Sequence, residues 1–205
     1  LIDIGGGTTD IAIFSNGHIQ HTSVLALGGN HITSDIAVGL RTPVIEAEKI
    51  KIKYGCAFPS MVNPSETIQV PSVGGREPRH LPRRQLCEII EPRVEEIFTL
   101  VQRELIKSGC DDLMAAGVAV TGGTALLEGL VELGERVFRL PVRIGYPTGI
   151  KGLMDVVNNP MFSTGVGLIL HGTKDNPKRE HKSKNRSKMK TVTHRMKNWF
   201  QEAFL

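Results

Sequence analysis

An apolar run that ends in an aspartate, followed by three glycines and two threonines, is the first stretch able to do chemistry: Asp3-Ile4-Gly5-Gly6-Gly7-Thr8-Thr9-Asp10. Glycines after a strand let the backbone approach a ligand and turn successive N–H groups toward it, which is how a loop cradles phosphates. Thr8 and Thr9 add hydroxyl donors, and Asp3 is placed to hold a metal-bound water near a terminal phosphate. Roughly 115 residues on, Val120-Thr121-Gly122-Gly123-Thr124 repeats the logic at an expected strand-to-helix turn, whose free N–H groups suit phosphate or sugar oxygens. Taken singly, the first loop also reads as an ordinary glycine-rich hairpin, and the second as a tight turn capped by Thr124. Their order and separation say more than either alone.

The other chemically organised stretch is the C-terminus. From Thr191 to Leu205 the residues Val192, Met196, Trp199, Phe200, Ala203 and Phe204 recur at three- and four-residue spacing, with polar and charged residues between them. That is the pattern of a helix with one apolar face. Trp199, Phe200 and Phe204 on that face, with Arg195 and Lys197 at its edges, meet the needs of a helix lying in a membrane interface. Each Lys or Arg near an anionic surface adds about 1 kcal/mol. A helix that docks on its own domain or in a partner's groove has the same period. A nucleic-acid tail would not need so ordered an apolar face, so anionic lipids are the expected partner and nucleic acid is not.

Charge is divided along the chain in the same way. The net charge is +4 over 205 residues, but residues 1–171 carry 15 Lys/Arg against 18 Asp/Glu, and residues 172–205 carry 10 against 3. A mildly acidic body followed by a basic tail calls for an acidic surface as partner of the tail. Residues 172–190 hold eight Lys/Arg and almost no apolar side chains, so they read as a flexible linker. Cys56, Cys87 and Cys110 are odd in number and in no metal-ligand spacing, which fits small buried side chains in a reducing compartment. His18 and His21 are expected on opposite faces of a strand and make a poor metal pair. No apolar run has the length of a membrane span, and no signal peptide is read. With no initiating methionine and Leu1 reading as part of a strand, the chain is expected to be a segment of a longer protein.

The elements that must position the two glycine loops follow from periodicity. Leu1–Ile4, Asp10–Phe14 and His18–Leu27 read as a three-stranded meander, with Asn16-Gly17 as a hairpin turn. Thr33–Leu40 should be a short helix after Gly28-Gly29-Asn30. Val44–Tyr54 should be a second helix, with Ile45, Glu48 and Ile52 on one stripe. Residues 55–82, rich in Pro, Gly and Ser, contain one expected strand at Thr67–Val70. A long helical pattern runs from Arg83 to Lys107, and Pro92 inside it is expected to kink or divide it. Val118–Thr121 reads as a buried strand leading to a helix through about Phe138, and Pro141–Ile144 as another strand. In Met161–Leu170, Gly165 and Gly167 should allow close packing. Alternation of this kind indicates a mixed α/β domain.

The two loops together resemble the second phosphate loop and the adenosine loop of the actin, heat-shock-chaperone and sugar-kinase superfamily. Between them, Ala47-Glu48-Lys49-Ile50-Lys51 resembles the helix that holds the nucleoside. Within the superfamily, Asp3–Ile13, Leu40-Arg41-Thr42-Pro43, Ala47–Ile52, Val70–Gly74, Glu91-Pro92-Arg93, Gly117–Gly123 and Gly152–Val157 resemble the FtsA family, in the same order and over nearly the whole chain. The resemblance implies an actin-like (ribonuclease-H-like) α/β lobe: a large subdomain from residues 1–42 and 93–171, and a small one inserted at 43–92. A linker at 172–190 and an amphipathic membrane helix at 191–205 would follow. It implies ATP with Mg2+ as cofactor, with Gly5, Gly6, Gly7 and Thr8 on the phosphates, Gly122, Gly123 and Thr124 on the nucleoside, Glu48 on the ribose hydroxyls and Lys51 along the base. Asp3 would position water or Mg2+. It implies assembly with copies of itself, tethering of the FtsZ ring and contact with other division proteins. The implied place is the cytoplasmic face of the inner membrane at the septum, and the implied activity is a nucleotide-dependent scaffold with at most weak ATPase activity. The family's first phosphate loop and N-terminal inserted subdomain have no counterpart here, so half of the nucleotide site is expected to be missing. A sugar kinase or chaperone-type ATPase of the same superfamily is the alternative.

Overall fold

The computed structural model describes residues 1–72, 74, 76–109, 116–149 and 157–175. Leu1–Gly167 form one compact unit and Leu168–Leu205 a second. The strands are β1 (Ile2–Ile4), β2 (Thr9–Ser15), β3 (His18–Leu25), β4 (Thr67–Val70), β5 (Arg79–Pro82), β6 (Val118–Thr121) and β7 (Val142–Ile144). The helices are α1 (Gly29–Leu40), α2 (Val44–Tyr54), α3 (Arg83–Lys107), α4 (Leu130–Phe138) and α5 (Ser163–Asp175).

Five strands make one sheet in the order β3-β2-β1-β6-β7, and β4 and β5 make a separate hairpin. The meander closes at Asn16 (φ 54°) and Gly17 (φ 79°), the left-handed pair that a tight hairpin of this hand requires. β6 lies parallel to β1, with Ile2 opposite Val120 and Asp3 opposite Thr121, and β7 lies parallel to β6. Alternation then fixes the faces. Ile2, Ile4, Ile11, Ile13, Val118 and Val120 are buried in the core, while Asp3, Asp10, Ala12 and Phe14 project to the other side and stay at least partly exposed.

Helix α3 supplies the opposite wall of the core. Leu86, Ile90, Val94, Ile97, Val101 and Leu105 fall at steps of four, four, three, four and four residues, and all are buried. Phe98 of the same helix meets Phe138 of α4 with ring centroids 5.1 Å apart at 60°. Arg93 binds both carboxylate oxygens of Asp35 on α1, at 2.5 and 3.0 Å, and pins α1 to α3. Cys56 and Cys87 are buried together beside Val62, and burial pushes the Cys87 thiol up to about 12. Cys110 lies outside the described residues. Among those residues no helix is long and apolar enough to cross a membrane.

Several expectations are corrected. α1 begins at Gly29, four residues before Thr33, because hydrogen bonds to the first glycine loop hold Gly29 and Asn30 in its first turn. On α2 the stripe of Ile45 and Ile52 is exposed and the buried face carries Ala47 and Ile50. Both sets have helical spacing, and only packing against α1 decides between them. Pro92 does not divide α3, which continues as one helix with Ile90 and Val94 buried on either side of the proline. β5 was hidden by its polar residues and by Pro82, yet it pairs with β4 from Thr67↔Pro82 to Val70↔Arg79. The turn after β6 leads to a 3₁₀ helix at Gly123–Leu126, and α4 starts only at Leu130, after the left-handed Gly129 (φ 72°). A Cβ at Gly165 or Gly167 would meet nothing within 4 Å, so neither glycine is packed closely against the described residues. A bulge at Ile13/Phe14 pairs His18 with Ser15 and His21 with Ile13, which interrupts the alternation expected of the two histidines.

Pro92 has no N–H for the helix and is exposed, between half-buried Glu91 and Arg93. Pro92→Ala in the full-length protein should therefore stabilise this lobe by about 1–3 kcal/mol, read from the urea unfolding midpoint. A lower midpoint would show that the packing requires the proline backbone.

Candidate functional site

Because β1 and β6 are parallel neighbours, the loops after them emerge side by side at the carboxyl ends of the strands, the place where open α/β sheets receive ligands. The first loop is closed by Gly5 N–H on the Thr8 carbonyl at 2.9 Å. From behind, Gly29 N–H donates to the Gly5 carbonyl at 2.9 Å and Asn30 N–H to the Gly6 carbonyl at 2.8 Å. The first amides of α1 therefore hold the loop and do not face a ligand. Among the described residues the amides of Gly6, Gly7, Gly123 and Thr124 have no backbone partner. Gly6, Gly7, Thr8 and Gly123 are exposed. The two loops are joined by Thr124 Oγ1, which donates to the Gly5 carbonyl at 3.3 Å.

Gly122 shows why glycine is needed. Its φ is +88°, and a Cβ there would collide with Asp3 Oδ1 and the Ile4 carbonyl. Since only a four-residue 3₁₀ helix follows, the free amides of this loop can hold a ligand only by direct hydrogen bonding, with little support from a macrodipole. Thr124 sits inside that turn and does not cap it.

Glu48 and Lys51 come together on α2, 2.8 Å apart. The Lys51 ammonium also donates to the Gly29 carbonyl at 3.0 Å and to Thr33 Oγ1 at 2.8 Å, so its three donors are in use. Thr33 Oγ1 is also hydrogen-bonded to Glu48. Burial would raise the Glu48 carboxyl, but the Lys51 and Thr33 hydrogen bonds outweigh it and hold the group below the usual carboxylate range. Through Gly29, Lys51 is linked to the first glycine loop. Next to it lies a cavity of about 310 Å³ lined by Lys51, Arg83, Gly123, Thr124, Leu127 and Glu128. A second hollow of about 310 Å³, lined by Leu1, Ile13, Leu105 and Arg143, sits at the other end of β1, away from both loops.

Asp3 is half-buried, and its Oδ2 accepts from Thr164 Oγ1 of α5 at 2.5 Å. Gly29, Thr33, Arg83 and Thr164 belong to the site, and no motif spacing announced them. Arg83, at the start of α3, donates to the Tyr54 carbonyl at 2.8 Å and to Glu66 at 3.1 Å, and pairs with Glu128. The tail residues Val192, Arg195, Met196, Lys197, Trp199, Phe200 and Phe204 lie outside the described residues.

Comparison with known proteins adds to this geometry. Residues 1–167 match the family model described as cell division protein FtsA. The chain belongs to the FtsA family. It is 57% identical to the cell division protein FtsA of Pseudomonas aeruginosa over 172 residues, covering 84% of this chain and 41% of that protein. It is 41% identical to the protein of that description from Escherichia coli K12 over 213 residues, covering all of this chain and 51% of that one. The chain thus spans about half the length of these relatives. Among solved structures it is similar to MreB 5 of Spiroplasma citri bound to AMPPNP, with a TM-score of 0.65 and 23% identity over 88% of this chain and 54% of that one. A MamK double helical filament matches with a TM-score of 0.56 and 14% identity over 80% of this chain and 53% of that one. These likenesses show an actin-like fold in a cell-division family.

Two outcomes follow from the local geometry. Gly122→Ala should cost about 1–3 kcal/mol of stability, whereas Gly7→Ala, with open space around its Cβ, should stay within about 0.5 kcal/mol in the same urea titration. The second concerns pH. Because the folded state lowers the Glu48 pKa, its contribution to stability is complete above the unfolded value, about 4.3, and is lost as pH falls through the lower folded value. Glu48→Gln should lower the melting temperature at pH 7 and narrow its gap to the parent below pH 4; an equal gap at both pH values would contradict the assignment.

Proposed function

We propose that this chain is one lobe of an ATP-binding, membrane-tethered scaffold of cell division. The observation that supports the nucleotide reading best is the meeting of two sets of free amides, at Gly6-Gly7 and Gly123-Thr124, beyond adjacent parallel strands. Gly6, Gly7 and Thr8 take the phosphates, while Gly5, whose amide is committed to the Thr8 carbonyl, shapes the loop; Gly122, Gly123 and Thr124 border the nucleoside. Glu48 holds the ribose hydroxyls, and Lys51 lies along the base in the neighbouring cavity. For the ribose to bind, Glu48 exchanges part of its bond to Lys51 for the sugar hydroxyls, a trade between partners of similar strength.

The donor set fits Mg2+ as well. Asp3 is a half-exposed carboxylate at the strand end, and the hard-oxygen chemistry of that ion suits a carboxylate acting through bound water. When bound, Mg2+ supplies charge compensation on the phosphates. Asp3 keeps a proton acceptor at that position, and the glycine amides orient the phosphate oxygens. The AMPPNP-bound MreB 5 and the filamentous MamK, which share the fold, support a nucleotide-binding, assembling protein.

The large subdomain uses residues 1–42 and 93–171, and the inserted one at 43–92 meets FtsZ and the next copy in a filament. Residues 172–190 are a linker, and 191–205 lie in the cytoplasmic leaflet of the inner membrane at the septum, where other division proteins gather. The apolar residues of the last segment, Val192, Met196, Trp199, Phe200 and Phe204, and the flanking Arg195 and Lys197, support this anchor.

Two experiments on the full-length protein test the two halves. Glu48→Ala should weaken ATP binding about tenfold or more, measured by fluorescence titration; unchanged binding would remove Glu48 from the site. Sedimentation with anionic liposomes should carry the parent protein down and leave a deletion of 191–205 in solution, and equal sedimentation of both would refute the anchor.

A further inference from the structure

The start of α5 is tied to the same strand ends that carry the nucleotide loops. Gly122 N–H donates to the Pro160 carbonyl at 3.2 Å, and Asn159 Oδ1 caps the 3₁₀ turn before α5 by accepting from Met161 N–H at 3.0 Å. Thr121 Oγ1 has the Gly145 carbonyl at 3.0 Å, the Pro160 carbonyl at 3.2 Å and Ser163 Oγ at 2.6 Å. A hydroxyl has one proton, so Thr121 donates to a carbonyl and Ser163 must be the donor in their short contact. One residue on, Thr164 Oγ1 donates to Asp3 Oδ2 at 2.5 Å. The other oxygen, Oδ1, lies against Gly122, where only the lack of a side chain leaves room for it. Both oxygens of Asp3 are thus confined, one by the first turn of α5 and one by the second glycine loop.

We propose that Thr164 is a positioning residue: its hydroxyl sets the rotation of the Asp3 carboxylate and couples the first turn of α5 to the occupant of the phosphate site. This rests on the nucleotide reading above and extends it to a residue that no motif marks. A carboxylate that must hold a metal-bound water is effective only in one orientation, and the groups that orient such ligands commonly matter about tenfold or more to metal affinity. Coupling is reciprocal, so a ligand that draws on Asp3 also changes how firmly α5 begins.

The test uses the full-length protein, the non-hydrolysable nucleotide AMPPNP, and the variants Thr164→Val, Thr164→Ser and Asp3→Asn. AMPPNP affinity is measured with Mg2+ and with EDTA, and hydrogen exchange is followed over residues 161–167. In Thr164→Val, the factor by which Mg2+ tightens AMPPNP binding should fall about tenfold. Its affinity in EDTA should stay within about twofold of the parent, which shows that the site remains folded. Thr164→Ser should restore the Mg2+ factor. Mg·AMPPNP should change exchange at 161–167 in the parent and in Thr164→Ser, but not in Thr164→Val or Asp3→Asn. If Thr164→Val keeps the full Mg2+ factor and the exchange response while Asp3→Asn loses them, Thr164 has no positioning role and the nucleotide reading stands. If Asp3→Asn also keeps them, the role assigned to Asp3 falls, and this proposal with it.

Discussion

The pairing of β1 with β6 is the constraint on which the other features depend. The two strands are more than a hundred residues apart in the chain, yet Ile2 sits opposite Val120 and Asp3 opposite Thr121. Parallel alignment brings their carboxyl ends to one edge, so each loop that follows finds the other as its neighbour. A slip of one residue would turn Ile2, Ile4 and Val120 out of the core and point Asp3 into it. The apolar residues that bury one face therefore also set the register of the polar residues on the other. Core packing and site geometry are here one specification, written on alternate residues of the same strands.

Around that edge the polar groups are held by each other. The first amides of α1 are bound to the Gly5 and Gly6 carbonyls, Lys51 spans Gly29, Thr33 and Glu48, and Thr164 holds Asp3. Each contact alone contributes about 1 kcal/mol, more where a charge takes part. Their joint effect is to fix orientation: the Glu48 and Asp3 carboxylates are each bonded to an element other than their own, and the loop that leaves the Gly6 and Gly7 amides free is held through its carbonyls. Binding at such a site exchanges internal partners for ligand partners and needs little rearrangement of backbone. The same arrangement makes α1, α2 and α5 responsive to the site, since each contributes a group to it.

Much of this was legible in the sequence, for reasons that differ between elements. α2, α3, β4 and β6 have the predicted boundaries because period and punctuation agree there, as at Ser108-Gly109, where Gly109 takes φ +67° after α3. Glu48 and Lys51, three residues apart on a helix, had to share a face. What escaped was set by tertiary contact. The spacing of Ile45 and Ile52 is as helical as that of Ala47 and Ile50, and only α1 decides which pair is buried. Gly29 and Asn30 are poor helix formers that become the first turn of α1 because the loop carbonyls bind their amides. Thr33, Arg83 and Thr164 are ordinary residues in sequence, and their place in the site depends on how far strands and helices are brought together.

If the two glycine loops form one half of a nucleotide site, a structure of the full-length protein with Mg·AMPPNP should show it. Phosphate oxygens should lie within hydrogen-bond distance of the Gly6 and Gly7 amides, with the nucleoside between Gly123-Thr124 and Glu48-Lys51. A nucleotide bound away from these residues, with the Lys51–Glu48 pair and the glycine amides as they are here, would contradict it.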